Sequence, residues 1–377
     1  MGSSLPQASQ PPDRTLQRRE NLFPTLKAAR ADAFLILSPA NVRYLTGFTG
    51  EAATFLLTRD RPILISDGRF TTQLEEECPG LTVHVRQVGQ KMSAALGELI
   101  KSLGVGRVAF ESAALTVADF EALREALPAV EFAGVKDQVE TLRAIKDEEE
   151  VAAVRQAIDA AERAFARLRD GLRNGGSATE KDVADALEGH LRRCGAATAS
   201  FPPIVAVGAR SALPHARPRP DVRIDSDDFV LIDWGADGPP YKSDLTRALV
   251  TGKVTPKFEQ VYRTVLAAQE RGIAAIRPGV LARDVDAEAR SVIVEAGFGD
   301  FFNHGLGHGI GLEIHETPLM SRSAEIPLQP GMVITVEPGI YLPGWGGVRI
   351  EDDVLVTPDG CEVLTGVPKG LDSVRVE

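Results

Sequence analysis

Cysteine is scarce. Cys78, Cys194 and Cys361 are scattered and odd in number, so a disulfide framework does not fit, and no C-x-x-C pair offers a thiolate zinc site. A reducing compartment, the cytoplasm, is the expected location. Basic excess is also missing: 42 Lys and Arg stand against 53 Asp and Glu, leaving a net charge of −11. That balance argues against nucleic acid as a partner, because a basic patch is the first requirement for binding a phosphate backbone. No apolar run approaches the roughly 20 residues that span a bilayer. The longest early run, Ala33-Phe34-Leu35-Ile36-Leu37, is too short and too far in for a secretory signal. No membrane partner is expected. What is present, 44% hydrophobic and 25% charged residues over 377 positions, suits a soluble globular chain of two domains.

Residues 1–20, rich in Ser, Pro, Gln and Arg, read as a loose, disordered leader. Over 21–142, strand-like runs at 33–38, 53–58, 62–66, 81–86 and 106–110 alternate with helical stretches near 69–77, 91–103 and 117–127. Such alternation predicts an α/β domain. The second domain, 143–377, reads as a coarse duplication of helix, helix, hairpin. Its first half opens at Asp147, whose spacing to Glu150 has the form of a capping box. Ser177-Ala178-Thr179-Glu180 has the same form, and strands follow at 203–207, 229–236 and 242–250. Its second half opens at Thr255-Pro256, a good N-cap with Pro at the first helical position. Helices near 256–275 and 282–296 lead there to strands at 332–337 and 347–356.

Acids sit inside those strands. Phe229-Val230-Leu231-Ile232-Asp233 is written for burial, and a hairpin centred on Gly238-Pro239 would oppose Asp233 to Asp244. Two carboxylates about 5 Å apart repel by about 3 kcal/mol at an effective dielectric near 20. Either a proton or cation lies between them, or the register differs and each has its own basic partner. Val333-Ile334-Thr335-Val336-Glu337 repeats the problem, and Glu337 and Glu351 straddle Gly344 across another candidate hairpin. Four such acids suggest an oxygen cage for more than one divalent ion.

Histidine is concentrated. Of six in the chain, His304, His308 and His315 fall within twelve residues, in Asn303-His304-Gly305-Leu306-Gly307-His308-Gly309-Ile310-Gly311-Leu312-Glu313-Ile314-His315-Glu316. A zinc-binding H-E-x-x-H helix is excluded by Leu319 and Pro318. The glycines disfavour any helix, and a G-x-G-x-x-G dinucleotide loop would need Gly at 310. Two readings remain, a glycine-rich chain pressed close to something small and three surface histidines in a loose loop, the first preferred.

These residues together resemble the pita-bread metallopeptidases, the creatinase, aminopeptidase P and prolidase group. The resemblance rests on His304–Gly311, His315-Glu316, Val336-Glu337-Pro338-Gly339, Arg349-Ile350-Glu351-Asp352 and the Asp233/Asp244 pair. Asn41–Gly50 and Ala212-Leu213-Pro214-His215 extend it toward small bacterial Xaa-Pro peptidases. The resemblance implies a creatinase-like α/β domain followed by a duplicated pita-bread catalytic domain of α+β character. It further implies Asp233, Asp244, His308, Glu337 and Glu351 as ligands of two divalent ions, with manganese expected first and cobalt, iron or zinc as alternatives. Asp244 and Glu351 would bridge the ions. Glu337 would also shuttle a proton, His315 would stabilise the tetrahedral intermediate, and His215 and His304 would line the substrate pocket. Arg349 would hold a carboxylate or move a proton, or form a plain salt bridge. Tyr341, Trp345 and His215 are candidates for a proline-shaped slot.

The implied substrates are peptides with proline second, and the implied assembly is a homodimer or larger. A metal-free pita-bread binding protein and a methionine aminopeptidase are weaker alternatives. Prolidases that resemble this chain carry Arg after His-Glu-x-Pro, where this chain has Leu319, with Arg322 three residues on. An Xaa-Pro aminopeptidase is therefore expected ahead of an Xaa-Pro dipeptidase.

Overall fold

The apolar runs of the first half become strands of a single six-stranded sheet in a computed structural model that describes residues 14–173 and 178–376. Their spatial order is Thr82–Arg86, Ile63–Asp67, Thr54–Thr58, Ala33–Ile36, Arg107–Glu111, Glu131–Val135. Ala33–Ile36 lies in the middle, antiparallel to one neighbour and parallel to the other, and is buried along its whole length. A strand covered on both faces needs the unbroken apolar run that the sequence has there. Helices Met92–Ser102 and Val117–Ala126 contribute Leu96, Ile100 and Leu123 to the same core as Leu35, Leu56 and Ile65. The strand Glu131–Val135 went unread because its residues are half-exposed or exposed and lack a continuous apolar run.

The last residues of the expected leader are ordered. Arg14–Glu20 is a helix, followed by a second helix at Phe23–Ala28. Arg19 donates to the Leu45 carbonyl at 3.0 Å, and the Arg18 guanidinium lies 4.1 Å from the Tyr44 ring centre. Arginine stems and donors dock this helix where an apolar stripe would normally do so. Residues 1–13 lie outside the described residues.

The chain divides into two units, one ending at Arg143 and the other beginning at Ala144. The second opens with the expected capping box: Asp147 Oδ1 accepts from the Glu150 amide, and Glu150 Oε2 accepts from the Asp147 amide, each at 3.0 Å. Its long helix, Glu148–Arg173, packs with Glu180–Arg193. The latter is boxed by Thr179 and Asp182 rather than by Ser177 and Glu180. Ser177 lies outside the described residues. Glu180 turns inward instead, accepting from the Val207 amide and from Arg210. Thr255 caps Pro256–Ala275 through the Phe258 amide, and Ala282–Glu295 follows.

Each helix pair covers one face of an antiparallel sheet. The first sheet orders its strands Leu245–Val250, Phe229–Trp234, Ile204–Val207. The second orders Glu316–Met320, Gly307–Gly309, Val333–Val336, Asp352–Thr357, Gly360–Val363, with a separate hairpin of Gly339–Leu342 and Gly346–Arg349. Strand alternation then decides where the acids go. Val230, Ile232 and Trp234 pack under the first helix pair, and Trp234 stacks on Phe165. Ile334, Val336, Val354 and Val356 pack under the second. Asp233, Thr335, Glu337 and Asp353 must therefore occupy the opposite faces. A bridge between Thr246 and Glu351, with the Glu351 amide donating to the Thr246 carbonyl at 3.2 Å, joins the two halves there.

Candidate metal centre

Three of the expected residues converge: Asp244, His308 and Glu351 offer ligand atoms that all lie within 4.8 Å of one another. Two antiparallel pairings bring them together. Val336 pairs with Asp352, and Gly339 with Arg349, so Glu337 and Glu351 fall opposite each other between the two ladders, in the register that the sequence suggests. The first hairpin differs. Asp233 pairs with Thr246, not Asp244, because the turn closes with Asp237 facing Lys242 and so centres between Pro239 and Pro240. A two-residue offset preserves the face, and Asp244 remains the diagonal neighbour of Asp233.

Backbone approach explains the glycines. A Cβ at Gly307 would lie 2.2 Å from the Thr335 carbonyl oxygen, and one at Gly309 2.3 Å from that of Thr317. The glycine-rich segment is thus pressed against its neighbouring strands. It places the His308 ring beside the acids, with Nε2 3.4 Å from Glu337 Oε1 and 3.7 Å from Asp244 Oδ2. Its Nδ1 meets the Gly309 carbonyl at 3.0 Å. The proton therefore sits on Nδ1 and leaves the Nε2 lone pair facing the carboxylates, the arrangement a metal-binding imidazole adopts.

A polar network fixes the acids. Thr246 Oγ1 donates to Glu351 Oε2 at 2.6 Å and accepts from Arg349 Nε at 3.0 Å. Arg349 also donates to Asp233 Oδ2 at 2.5 Å and to Tyr341 Oη at 2.8 Å. The Tyr341 hydroxyl passes its own proton toward His304 Nε2 at 2.9 Å, since His304 Nδ1 already faces the Gly305 carbonyl. Thr335 Oγ1 accepts from the His308 amide at 3.0 Å and donates to Glu337 at 3.2 Å. Asp353, fully buried, accepts from the Asp244 amide at 3.1 Å.

Burial and mutual repulsion push Asp244 and Glu351 well above the usual carboxylate range. Burial pushes Glu337 up to about 7, against the pull of Arg349. Burial, reinforced by Arg349, drives His304 down to about 4, so its ring is neutral. Such crowding of acids is costly without a compensating positive charge. Asp233 Oδ1 is buried with no hydrogen-bond partner among the described residues, and an ion would satisfy it. Oxygen and imidazole donors without sulfur fit a hard or borderline divalent cation.

The remaining expected residues take different places. His315 packs edge-on against His308 with ring centres 4.5 Å apart. His215 lies in an exposed turn. Arg349 is buried at the centre of the network, more than a plain salt bridge. Trp345 packs on Phe229, ring centres 5.1 Å apart, beneath Lys257. Leu319 pairs with His308 and shares its face, 59% exposed. Sequence reasoning missed Thr246, Thr335, Asp353 and the buried Lys146–Glu316 pair at 3.2 Å beside His315. Only the position of the threonines opposite or next to acids in the strands hinted at a role.

Residues 152–358 match metallopeptidase family M24, and residues 18–145 match the creatinase/prolidase N-terminal domain. The chain is 36% identical to an Xaa-Pro dipeptidase of Pyrococcus horikoshii, over 90% of this chain and 94% of that one. The structure resembles that of an Xaa-Pro dipeptidase from Bacillus anthracis, with TM-score 0.90 and 37% identity over 95% of this chain and 99% of the other. It also resembles an X-Pro aminopeptidase from Thermotoga maritima, with TM-score 0.84 and 36% identity over 92% and 99%. A pita-bread catalytic unit that brings an aspartate, a histidine and a glutamate together, preceded along the sequence by a creatinase-type domain, makes this chain a metallopeptidase of family M24.

Proposed function

We propose that the protein is an Xaa-Pro dipeptidase, a prolidase, that hydrolyses the bond before proline with two divalent ions held by Asp233, Asp244, His308, Glu337 and Glu351. The convergence of Asp244, His308 and Glu351 carries the hydrolytic reading. Similarity to Xaa-Pro dipeptidases of Bacillus anthracis and Pyrococcus horikoshii supports the dipeptidase over the aminopeptidase that Leu319 suggests. Leu319 itself, exposed and uncharged beside His308, and the similarity to the Thermotoga maritima aminopeptidase favour the second reading.

When bound, the ions would activate a water and polarise the scissile carbonyl. Glu337, held by Thr335, would take a proton at Oε from the attacking water and return it to the prolyl nitrogen. That nitrogen carries no hydrogen in the substrate, so the site needs no acceptor for it. His315 stabilises the oxygen that gains charge. His304 and His215 flank the leaving prolyl group, and Arg349 fixes Asp233. Manganese, a cytoplasmic location and a homodimer complete the proposal. Light scattering of a fully active monomer would remove the last of these. Initial rates on Xaa-Pro and Xaa-Pro-Xaa peptides with manganese test the substrate class. Selective hydrolysis of the dipeptide supports the prolidase, whereas equal or better hydrolysis of the longer peptide makes the enzyme an aminopeptidase.

A further inference from the structure

Segment 364–376 leaves the second sheet of the catalytic unit and joins the first. It follows the edge strand Gly360–Val363, and the Leu364 amide donates to the Asp353 carbonyl at 2.9 Å. Farther on it flanks Val250, the last residue of the edge strand Leu245–Val250. The Val250 amide donates to the Val374 carbonyl at 2.8 Å, and the Val376 amide to the Val250 carbonyl at 3.2 Å. The segment thus straps together the two halves that each supply proposed ligands.

Midway, the strap meets a buried charge cluster on the face of the strands opposite the metal centre. Thr246 turns its hydroxyl toward Glu351, so strand alternation sends Arg247 the other way. Arg247 Nη1 donates to the Thr246 carbonyl at 2.9 Å and to the Glu351 carbonyl at 2.5 Å, the two residues bridged between the halves. Nη2 donates to Asp352 Oδ1 at 2.7 Å and to the Val367 carbonyl at 2.6 Å. Asp352 accepts in addition from Thr365 Oγ1 and Gln269 Nε2, each at 2.8 Å, and from Lys369. One carboxylate is therefore held between two cations. The Arg247 and Asp352 side chains are 2% and 1% exposed, and that of Lys369 is 24% exposed.

Stability alone accounts poorly for such a cluster, because apolar residues of similar volume often serve a buried site as well as an ion pair does. Geometry accounts for it better. A planar guanidinium presents its donors in a fixed fork, and here the fork sets the backbone from which Glu351 reaches the metal centre. Asp352 and Val367 fix the guanidinium, while Lys369 and Thr365 fix Asp352.

We propose that segment 364–376, acting through Lys369, Asp352 and Arg247, positions Glu351 for the ions, so that docking of the segment and binding of metal reinforce each other. The role rests on the five-ligand reading above. Lys369 is a positioning residue, since its ammonium partners are Gln269 and Asp352 rather than a ligand. Coupling of this kind is reciprocal. The factor by which a released strap weakens metal binding is the factor by which metal holds the strap.

The test has two arms. Manganese affinity, by competition with a chelating dye, is compared among wild type, Lys369→Met and Lys369→Arg, with circular dichroism as the check on folding. Amide hydrogen exchange over 364–376 is followed in the wild type with and without manganese, with Ala33–Ile36 of the first unit as reference. Loss of a group that orients a metal ligand costs about 10–100-fold in affinity. Lys369→Met should weaken binding by that factor, and Lys369→Arg, which keeps the charge, should recover most of it. Saturating manganese should slow exchange over 364–376 by a similar factor and leave the reference amides unchanged. Unaltered affinity in folded Lys369→Met, or exchange over 364–376 that ignores manganese, overturns the coupling and leaves the ligand reading standing. Should Lys369→Met fail to fold, the wild-type exchange decides alone. A wild type that binds no manganese removes the ligand reading and the strap's role together.

Discussion

Two threonines show how much of the centre depends on single hydroxyl groups. Thr246 and Thr335 each hold a carboxylate and a second group of the network, and valine would keep their shape while removing the oxygen. Thr246→Val should weaken metal affinity about 10–100-fold, measured by competition with a chelating dye, with an unchanged circular dichroism spectrum. Unaltered affinity would mean that Thr246 does not orient Glu351. The ligand candidates were legible in the sequence because an acid inside a run such as Phe229-Val230-Leu231-Ile232 contradicts its surroundings. The threonines were not, since threonine in a strand is what a pleated sheet favours anyway. Far from the centre, Asp67 illustrates a titrating residue. A bidentate hydrogen bond from Arg69, with Arg86 also near, holds its carboxyl well below the usual range. A depressed folded-state value contributes stability above the unfolded pKa, near 4, that is lost as pH falls through the folded one. The difference in urea midpoint between wild type and Asp67→Asn should therefore be full at pH 7 and shrink steadily below pH 4. A constant difference would show that Asp67 acts otherwise.

At the level of elements, turns decided what the residues could show. Glu337 and Glu351 were placed correctly because one offset continues through both flanking ladders. The Asp233 register slipped by two because two adjacent prolines shift the turn centre without changing any side chain's face. The His315 loop had no legible support at all. Its anchor is the carboxylate of Glu316, which accepts from the Glu313 amide at 3.0 Å and faces Lys146 Nζ, with side-chain exposures of 4% and 0% for Glu316 and Lys146. Lys146 lies 170 residues earlier in the chain, a separation no local pattern can reveal. Removing a cation from a buried pair costs about 3–5 kcal/mol. Lys146→Met should lower stability by that order and also reduce turnover through displacement of His315. If so, the same substitution in a His315→Ala background causes no further loss of kcat. Additive losses would assign Lys146 a purely structural part.

For the whole molecule, the fold class was readable from alternation and from the repeated helix, helix, hairpin order. The docking of helix Arg14–Glu20 was not, because arginine-rich segments look solvated in composition. The metal ions should act as a structural ligand as well as a chemical one. Anything that binds only the native state stabilises it in proportion to the logarithm of its concentration over Kd. Exhaustive chelation should lower the thermal midpoint, and restoring manganese should raise it again in a concentration-dependent way. A midpoint indifferent to metal would argue against a native-state site built from these five residues.

The Thr246–Glu351 bridge has a consequence for biosynthesis. The proposed ligands are spread from residue 233 to residue 351, and each half of the catalytic unit contributes only part of them. A polypeptide still emerging from the ribosome, or broken off early, has no centre to load until the second hairpin has formed against the first. The proposed centre thus forms only when both halves of the catalytic unit are present and joined.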